Sequence, residues 1–239
     1  MNKVHFTLQG KGGIGKSYVT SLIAQYYQEK EAPFIAIDTD PVNSTLAGYK
    51  GLGAQRIELI EKSKINPRMF DQLIEKILST DSNFVIDNGA SSFVPLTYYL
   101  LENDIVNLLT ENHKEVVVHT VIAGRQALVD TLAGLDSIMT SMPEQTTVIV
   151  WLNEFFGEIE ADGKGFEDMK AYQRHKDRIT GLVHLPRQSS ETFGWDMEKM
   201  LEKRMTFQEI RMSEEFSLMS KSRLHRVKTS AFEQLQLMM

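Results

Sequence analysis

No cysteine occurs among the 239 residues. Disulfides, thiolate zinc sites, a thiol nucleophile and a cysteine-held iron–sulfur cluster are therefore excluded. Proline is scarce, at 6, and no Pro/Gly/Ser-rich linker or internal repeat interrupts the chain. Long hydrophobic runs are missing too. The longest uncharged stretch, residues 88–101, has 14 residues, several of them Ser and Gly, against the roughly 20 apolar residues that cross a bilayer. The opening residues lack the apolar run and small-residue site of a secretory signal. A soluble intracellular protein is the expectation. The six histidines form no H-x-x-x-H pair, and Ser91 and Ser92 sit outside any G-x-S-x-G context, so neither zinc nor serine hydrolase chemistry is indicated. His119, inside an apolar run, reads as a satisfied core residue.

What remains is an ordinary globular composition, 42% apolar and 24% charged, long enough to bury a sizeable core. Charge is uneven. Residues 199–228 carry eight basic and four acidic side chains, while the whole chain stands at −6. A basic segment on an acidic body is either a solvated helix face or a contact for nucleic acid or an anionic membrane surface.

Apolar runs alternate with helical spacings. Strands are predicted at residues 4–8, 34–37, 84–86, 116–121 and 148–152, with a weaker one at 179–185. Helical stripes run through Val19, Leu22, Ile23 and Tyr26, through Met69, Leu73, Ile74 and Ile77, after Pro95, and through Leu128, Leu132, Leu135 and Ile138. The strands are continuously apolar rather than alternating, as strands covered on both faces are. The expected fold is α/β, a doubly wound, mostly parallel sheet with helices on both faces. Residues 154–165 read as a loop, either a lid or a connector. The expected organisation is one domain over 1–239, with a nucleotide-binding core over 1–186 and a helical segment over 187–239. In that segment Phe216, Met219, Leu224, Val227, Ala231, Leu235 and Met238 form an apolar stripe. It suits a helix packed on the domain or one lying on a membrane surface.

The sharpest motif is Gly10-Lys11-Gly12-Gly13-Ile14-Gly15-Lys16-Ser17, which fits G-x-x-x-x-G-K-[ST] between a predicted strand and helix. Glycines allow a tight turn whose N–H groups point inward, and a helix N-terminus favours negative charge. Lys16 is placed to reach β- and γ-phosphates, and the Ser17 hydroxyl suits Mg²⁺, a hard cation.

With its early second lysine, this loop resembles that of the ParA/MinD-like deviant phosphate-loop ATPases. The resemblance implies that Lys11 crosses a dimer interface to the partner's nucleotide. Asp38-Thr39-Asp40-Pro41 resembles that family's D-x-D-P segment, in which Asp40 positions the attacking water. Phe84-Val85-Ile86-Asp87 resembles its apolar run ending in the Asp that anchors the water shell of magnesium. Trp151-Leu152-Asn153 and Leu185-Pro186-Arg187 resemble the segments that contact and close on adenine. The implied catalytic set is Lys11, Lys16 and Asp40, and the implied metal set Ser17, Asp40 and Asp87. Nucleotide contacts run from Gly10 to Tyr18 and include Asn153 and Pro186. Tyr18 departs from the usual Ser/Thr, which weakens the case for a side-chain contact to the α-phosphate. Asn153-Glu154-Phe155-Phe156 is not N-K-x-D, so ATP is favoured over GTP.

Four segments, residues 8–17, 37–43, 85–96 and 150–153, look like the TraL-type conjugal transfer branch of that family. That likeness implies a cytoplasmic ATPase, peripheral at the inner membrane if its basic segment binds there. It implies an ATP-dependent homodimer with Mg²⁺ as cofactor, and conjugation or DNA-transfer proteins as partners. A nucleotide-binding adaptor without hydrolysis, a partition protein, and a metabolic ligase or kinase on the same fold are the other readings.

Overall fold

A computed structural model describes residues 1–61 and 64–239. Seven strands form one parallel sheet: β1 (Asn2–Thr7), β2 (Phe34–Asp38), β3 (Gln55–Arg56), β4 (Asn83–Asp87), β5 (Lys114–Ala123), β6 (Thr147–Asn153) and β7 (Ile179–Leu185). Their spatial order is β7-β6-β5-β1-β4-β2-β3. β1 thus lies centrally, with the early strands on one side and the late strands on the other. Ligands of such sheets bind at the carboxyl ends of the strands near this reversal, where the glycine-rich loop leaves β1. The two-residue edge strand β3 lies outside the sequence reading, because two exposed polar residues carry no apolar signal.

Nine α-helices cover the two faces among the described residues: α1 (Lys16–Glu29), α2 (Met69–Ser79), α3 (Phe93–Glu102), α4 (Ile105–Glu111), α5 (Leu128–Ser141), α6 (Lys170–His175), α7 (Trp195–Glu202), α8 (Phe207–Met212) and α9 (Leu218–Gln236). Successive strand residues point to opposite faces, and each face has its own core. Phe6, Phe84, Val118 and Val150 meet α2 to α5 on one side. Val85, Val117, Ile149 and Trp151 meet α1 and α7 to α9 on the other. This two-sided burial is why the strands read as unbroken apolar runs.

Strand ends move by one to two residues from the sequence reading, and two other segments differ from it. α3 begins at Phe93 rather than after Pro95, since a proline in the first turn removes only an N–H that has no helical partner. Residues 154–165 carry a short helical turn at Glu154–Phe156 and a hairpin of Glu160–Ala161 with Lys164–Gly165.

α9 packs on the domain. Leu224, Ala231, Phe232 and Leu235 are buried. Phe232 stands edge-on to Tyr26 of α1, ring centroids 5.6 Å apart, and to Phe207 of α8. The Gln234 side chain accepts from the His184 N–H and donates to the His184 carbonyl of edge strand β7. Of the apolar stripe read from the sequence, Met219 faces solvent.

Candidate nucleotide-binding site

Residues 8–15, with the glycines from position 10 on, link the end of β1 to the start of α1. Gly13 and Gly15 have φ of +72° and +95°, values that L side chains rarely adopt. At Gly15 a methyl group would also lie 2.7 Å from Asn153 Nδ2. α1 has no side-chain N-cap and no acid in its first turn. Its first N–H groups and its positive dipole end are therefore left for an anion at the loop.

Lys16 is buried at 7% exposure and its ammonium donates to the Lys11 carbonyl at 2.7 Å. Burial lowers its pKa, while the charges of Asp87 and Asp40 act to raise it. One helical turn on, the Thr20 hydroxyl bridges Thr7, the Lys16 carbonyl and Asp87 Oδ1 at 2.9, 2.9 and 3.1 Å. Asp87 is buried at the end of β4. Burial pushes its carboxyl up to about 7, against the pull of the Ser17 hydroxyl. Among the described residues its Oδ2 has no hydrogen-bond partner of good geometry. An orphaned buried carboxylate oxygen beside a serine hydroxyl is an all-oxygen environment, and it fits a hydrated Mg²⁺.

The two aspartates after β2 do different things. Asp38 is fully buried, with Oδ1 accepting from the Asp40 N–H at 3.0 Å and Oδ2 from the Ala47 N–H at 2.9 Å. It is a backbone anchor for the loop. Asp40 is partly exposed and its Oδ1 accepts from the N–H groups of Val42 and Asn43. Asp40 lies so close to Gly89 that a methyl there would meet Oδ1 at 2.5 Å.

A cleft of about 1190 Å³ opens over the loop, lined by Gly12, Gly13, Gly15, Lys16, Ser17, Tyr18, Asp40, Asn153 and Pro186. Most of the residues named from the sequence therefore meet in one concavity. Asn153 is engaged at both ends of its amide: Nδ2 donates to the Ile14 carbonyl at 2.9 Å and Oδ1 accepts from the Phe155 N–H. It braces the glycine-rich loop from β6. Tyr18 lines the cleft and packs on the Tyr49 side of the core. Lys11 stands outside this cleft, ion-paired to Asp130 of α5 at 2.7 Å with both side chains well exposed.

Gln9 escaped the sequence reading. It is fully buried; its Oε1 accepts from the Gly10 N–H, and its Nε2 donates to the carbonyls of Thr131 and Val121. Gly134 of α5 is bare where Gln9 lies, and a methyl there would clash with the carboxamide. The start of the glycine-rich loop is thus tied to α5. The signal was a polar residue closing an apolar strand, which is silent without its partners.

Two curated relatives from Escherichia coli, each described as Protein TraL, are 45% identical to this chain, over 235 and 236 residues and 98% of each relative. The chain belongs to the TraL family. No protein-family model matches the TraL-family chain. Among solved structures, a ParA family ATPase from Chlorobium tepidum TLS superposes with TM-score 0.51 at 17% identity, covering 95% of this chain and 97% of that one. The MinD cell division protein of Aquifex aeolicus gives 0.51 at 15% identity over 99% and 98%. In the MinC:MinD complex the value is 0.53 at 13% identity over 99% and 96%. At these identities the likeness speaks for the fold: this TraL-family chain has the sheet and helix arrangement of ParA and MinD proteins.

Proposed function

We propose that this TraL-family protein is an ATP-binding, slowly hydrolysing switch whose nucleotide state pairs and separates two copies, in support of conjugative DNA transfer. The observation that carries the reading is a cleft that brings together a buried lysine and an uncapped helix N-terminus, with the buried Asp87 behind it, joined to the Thr20 hydroxyl of the same helix. The loop amides and Lys16 hold the β- and γ-phosphates. Ser17, Asp87 and Asp40 are the oxygen groups that would hold Mg²⁺ and its water shell; when bound, the ion offsets charge on the phosphates. Asp40 orients a water in line with the γ-phosphorus. As that oxygen adds, the bond to the β-phosphate breaks and ADP leaves, so catalysis is positioning and charge stabilisation. Lys11 exchanges Asp130 for the phosphates of the second copy.

Calorimetry tests binding. The protein is expected to take up Mg-ATP, and Lys16→Ala to weaken it at least tenfold. No uptake at millimolar ATP sinks the reading. Size-exclusion chromatography with ATP and with ADP tests pairing: a larger species appears with ATP and is lost in Lys11→Ala. Because Asp40 already accepts two backbone N–H groups, an adaptor without hydrolysis is the second reading. Equal phosphate release by wild type and Asp40→Ala would favour it. Among the described residues no helix is long and apolar enough to cross a membrane. The proposed location is the cytoplasm, with the basic segment 199–228 offered to DNA, to a transfer protein or to the inner membrane surface. Contact with DNA there should weaken steeply with salt.

A further inference from the structure

Arg204 sits just past the end of α7. The Arg204 N–H donates to the Leu201 carbonyl and the Met205 N–H to the Met200 carbonyl, both at 3.1 Å. This paired bonding ends helices with a left-handed residue, usually glycine. Here the residue is arginine, at φ +50°. Six non-glycine residues have positive φ among the described residues, and Arg204 alone of them lines the large cleft. A strained backbone kept in a cleft points to a use for the side chain.

No ion pair among the described residues accounts for the position of the side chain. Among the described residues, three of the seven other basic residues of 199–228 meet a carboxylate: Lys203 meets Glu215, Arg223 meets Asp196 and Lys228 meets Glu29, while Lys199 and Arg226 lie over the rings of Phe216 and Phe193. Arg204 has no such partner among the described residues. Its guanidinium instead lies against Gly48, where a methyl group would collide with it. Gly48 closes the turn Leu46–Gly48, which continues from the Asp40 loop and is held by Asp38 through the Ala47 N–H. The cation is therefore parked on the loop that leads from Asp40 and faces the cleft holding Lys16 and Ser17. A guanidinium fork matches phosphate oxygens.

We propose that Arg204 is a nucleotide-contacting residue, a cation supplied by the chain's own α7 terminus that closes on the phosphates of a nucleoside triphosphate in the cleft. It rests on the reading of this cleft as an ATP site. By leaving Gly48 for the nucleotide, it also links occupancy of the cleft to the turn behind Asp40 and to α7.

Arg204→Gly separates this role from a structural one, because glycine suits the left-handed position. We expect the ligand-free melting temperature to be unchanged or raised, and Mg-ATP affinity by calorimetry to fall about tenfold. Arg204→Lys should lie between, and adenosine, which has no phosphates, should bind wild type and both variants alike. Mg-ATP affinity within twofold of wild type in Arg204→Gly overturns the proposal and leaves the ATP site standing. A ligand-free melting temperature that drops in step with affinity assigns Arg204 to the fold and also overturns it. A wild type that takes up no ATP, with Lys16→Ala identical to it, defeats the ATP reading itself and this inference with it.

Discussion

At the scale of single residues, the candidate site is built of charges that the folded chain holds at some cost. Asp87 is the clearest case. Burial raises its carboxyl from 3.8 to about 7. A raised folded value means that the protonated form suits the fold. Its contribution is complete below about pH 4 and is lost as pH rises through about 7. At pH 8 the ligand-free protein carries a buried carboxylate that lacks one partner. Asp87→Asn is therefore expected to stabilise the ligand-free protein at pH 8, on the order of 4 kcal/mol given about 1.4 kcal/mol per pKa unit over a rise of about three units, and to abolish Mg-dependent phosphate release. Urea midpoints at pH 8 and pH 4 check it: the gain should vanish at pH 4. Lys11 is the contrasting case. Its pair with Asp130 has side chains 40% and 56% exposed, and exposed pairs contribute about 1 kcal/mol at most. A triphosphate can displace such a pair readily.

At the scale of elements, a buried polar chain ties three strands to a helix. The Trp151 indole N–H donates to His119 Nδ1 at 3.0 Å. His119 must then be protonated at Nε2, which donates to His5 Nδ1 at 2.9 Å, and His5 Nε2 donates to the Tyr27 hydroxyl at 2.8 Å. The chain runs from β6 through β5 and β1 to α1, and every ring position has one defined role. Burial keeps both imidazoles neutral. His119 is lowered to about 3, and His5 is also well below its ordinary value, through burial and its neighbours His119 and Lys3. Depressed folded values mean that stability is present above 6.5 and falls below it, as the unfolded chain takes up protons first. Two histidines lose about 1.4 kcal/mol each per pH unit there, and Asp87 returns about as much as one of them. The net expectation is a loss on the order of 3 kcal/mol between pH 6.5 and 4.5. Urea unfolding across that range checks it, and the slope should flatten in His5→Gln/His119→Gln.

At the scale of the whole molecule, the C-terminal helix completes the second core. Phe232 joins α9 to both α1 and α8, whereas the Lys228–Glu29 pair lies at the rim. Phe232→Ala is expected to cost about 3 kcal/mol, as buried Phe→Ala changes do. Lys228→Ala should cost under about 1 kcal/mol. Urea denaturation of the two variants checks the contrast. A comparable small loss in both would mean that α9 rests only loosely on the domain.

The same helix shows what the chain alone could tell. Six of the seven strands, the glycine-rich loop and the stripes of α1, α2 and α5 are legible in the sequence. Each rests on a local period or on glycines at set spacing, and those are properties of the chain itself. β3 left no such trace, because two exposed polar residues have no period. Distance in sequence hides the rest. Gln9 and Gly134 lie 125 positions apart, and Asn153 is a brace only because Ile14 presents a carbonyl to it. Arg204 reads as one charge among eight in a basic run, until the fold turns it into a cleft beside Gly48. Local patterning determined which elements form and where the glycine-rich loop lies. Tertiary packing decided which side of α9 is buried, which aspartate anchors and which faces the cleft, and which cations lack a partner. Burial and pairing depend on residues that only the closed sheet brings together.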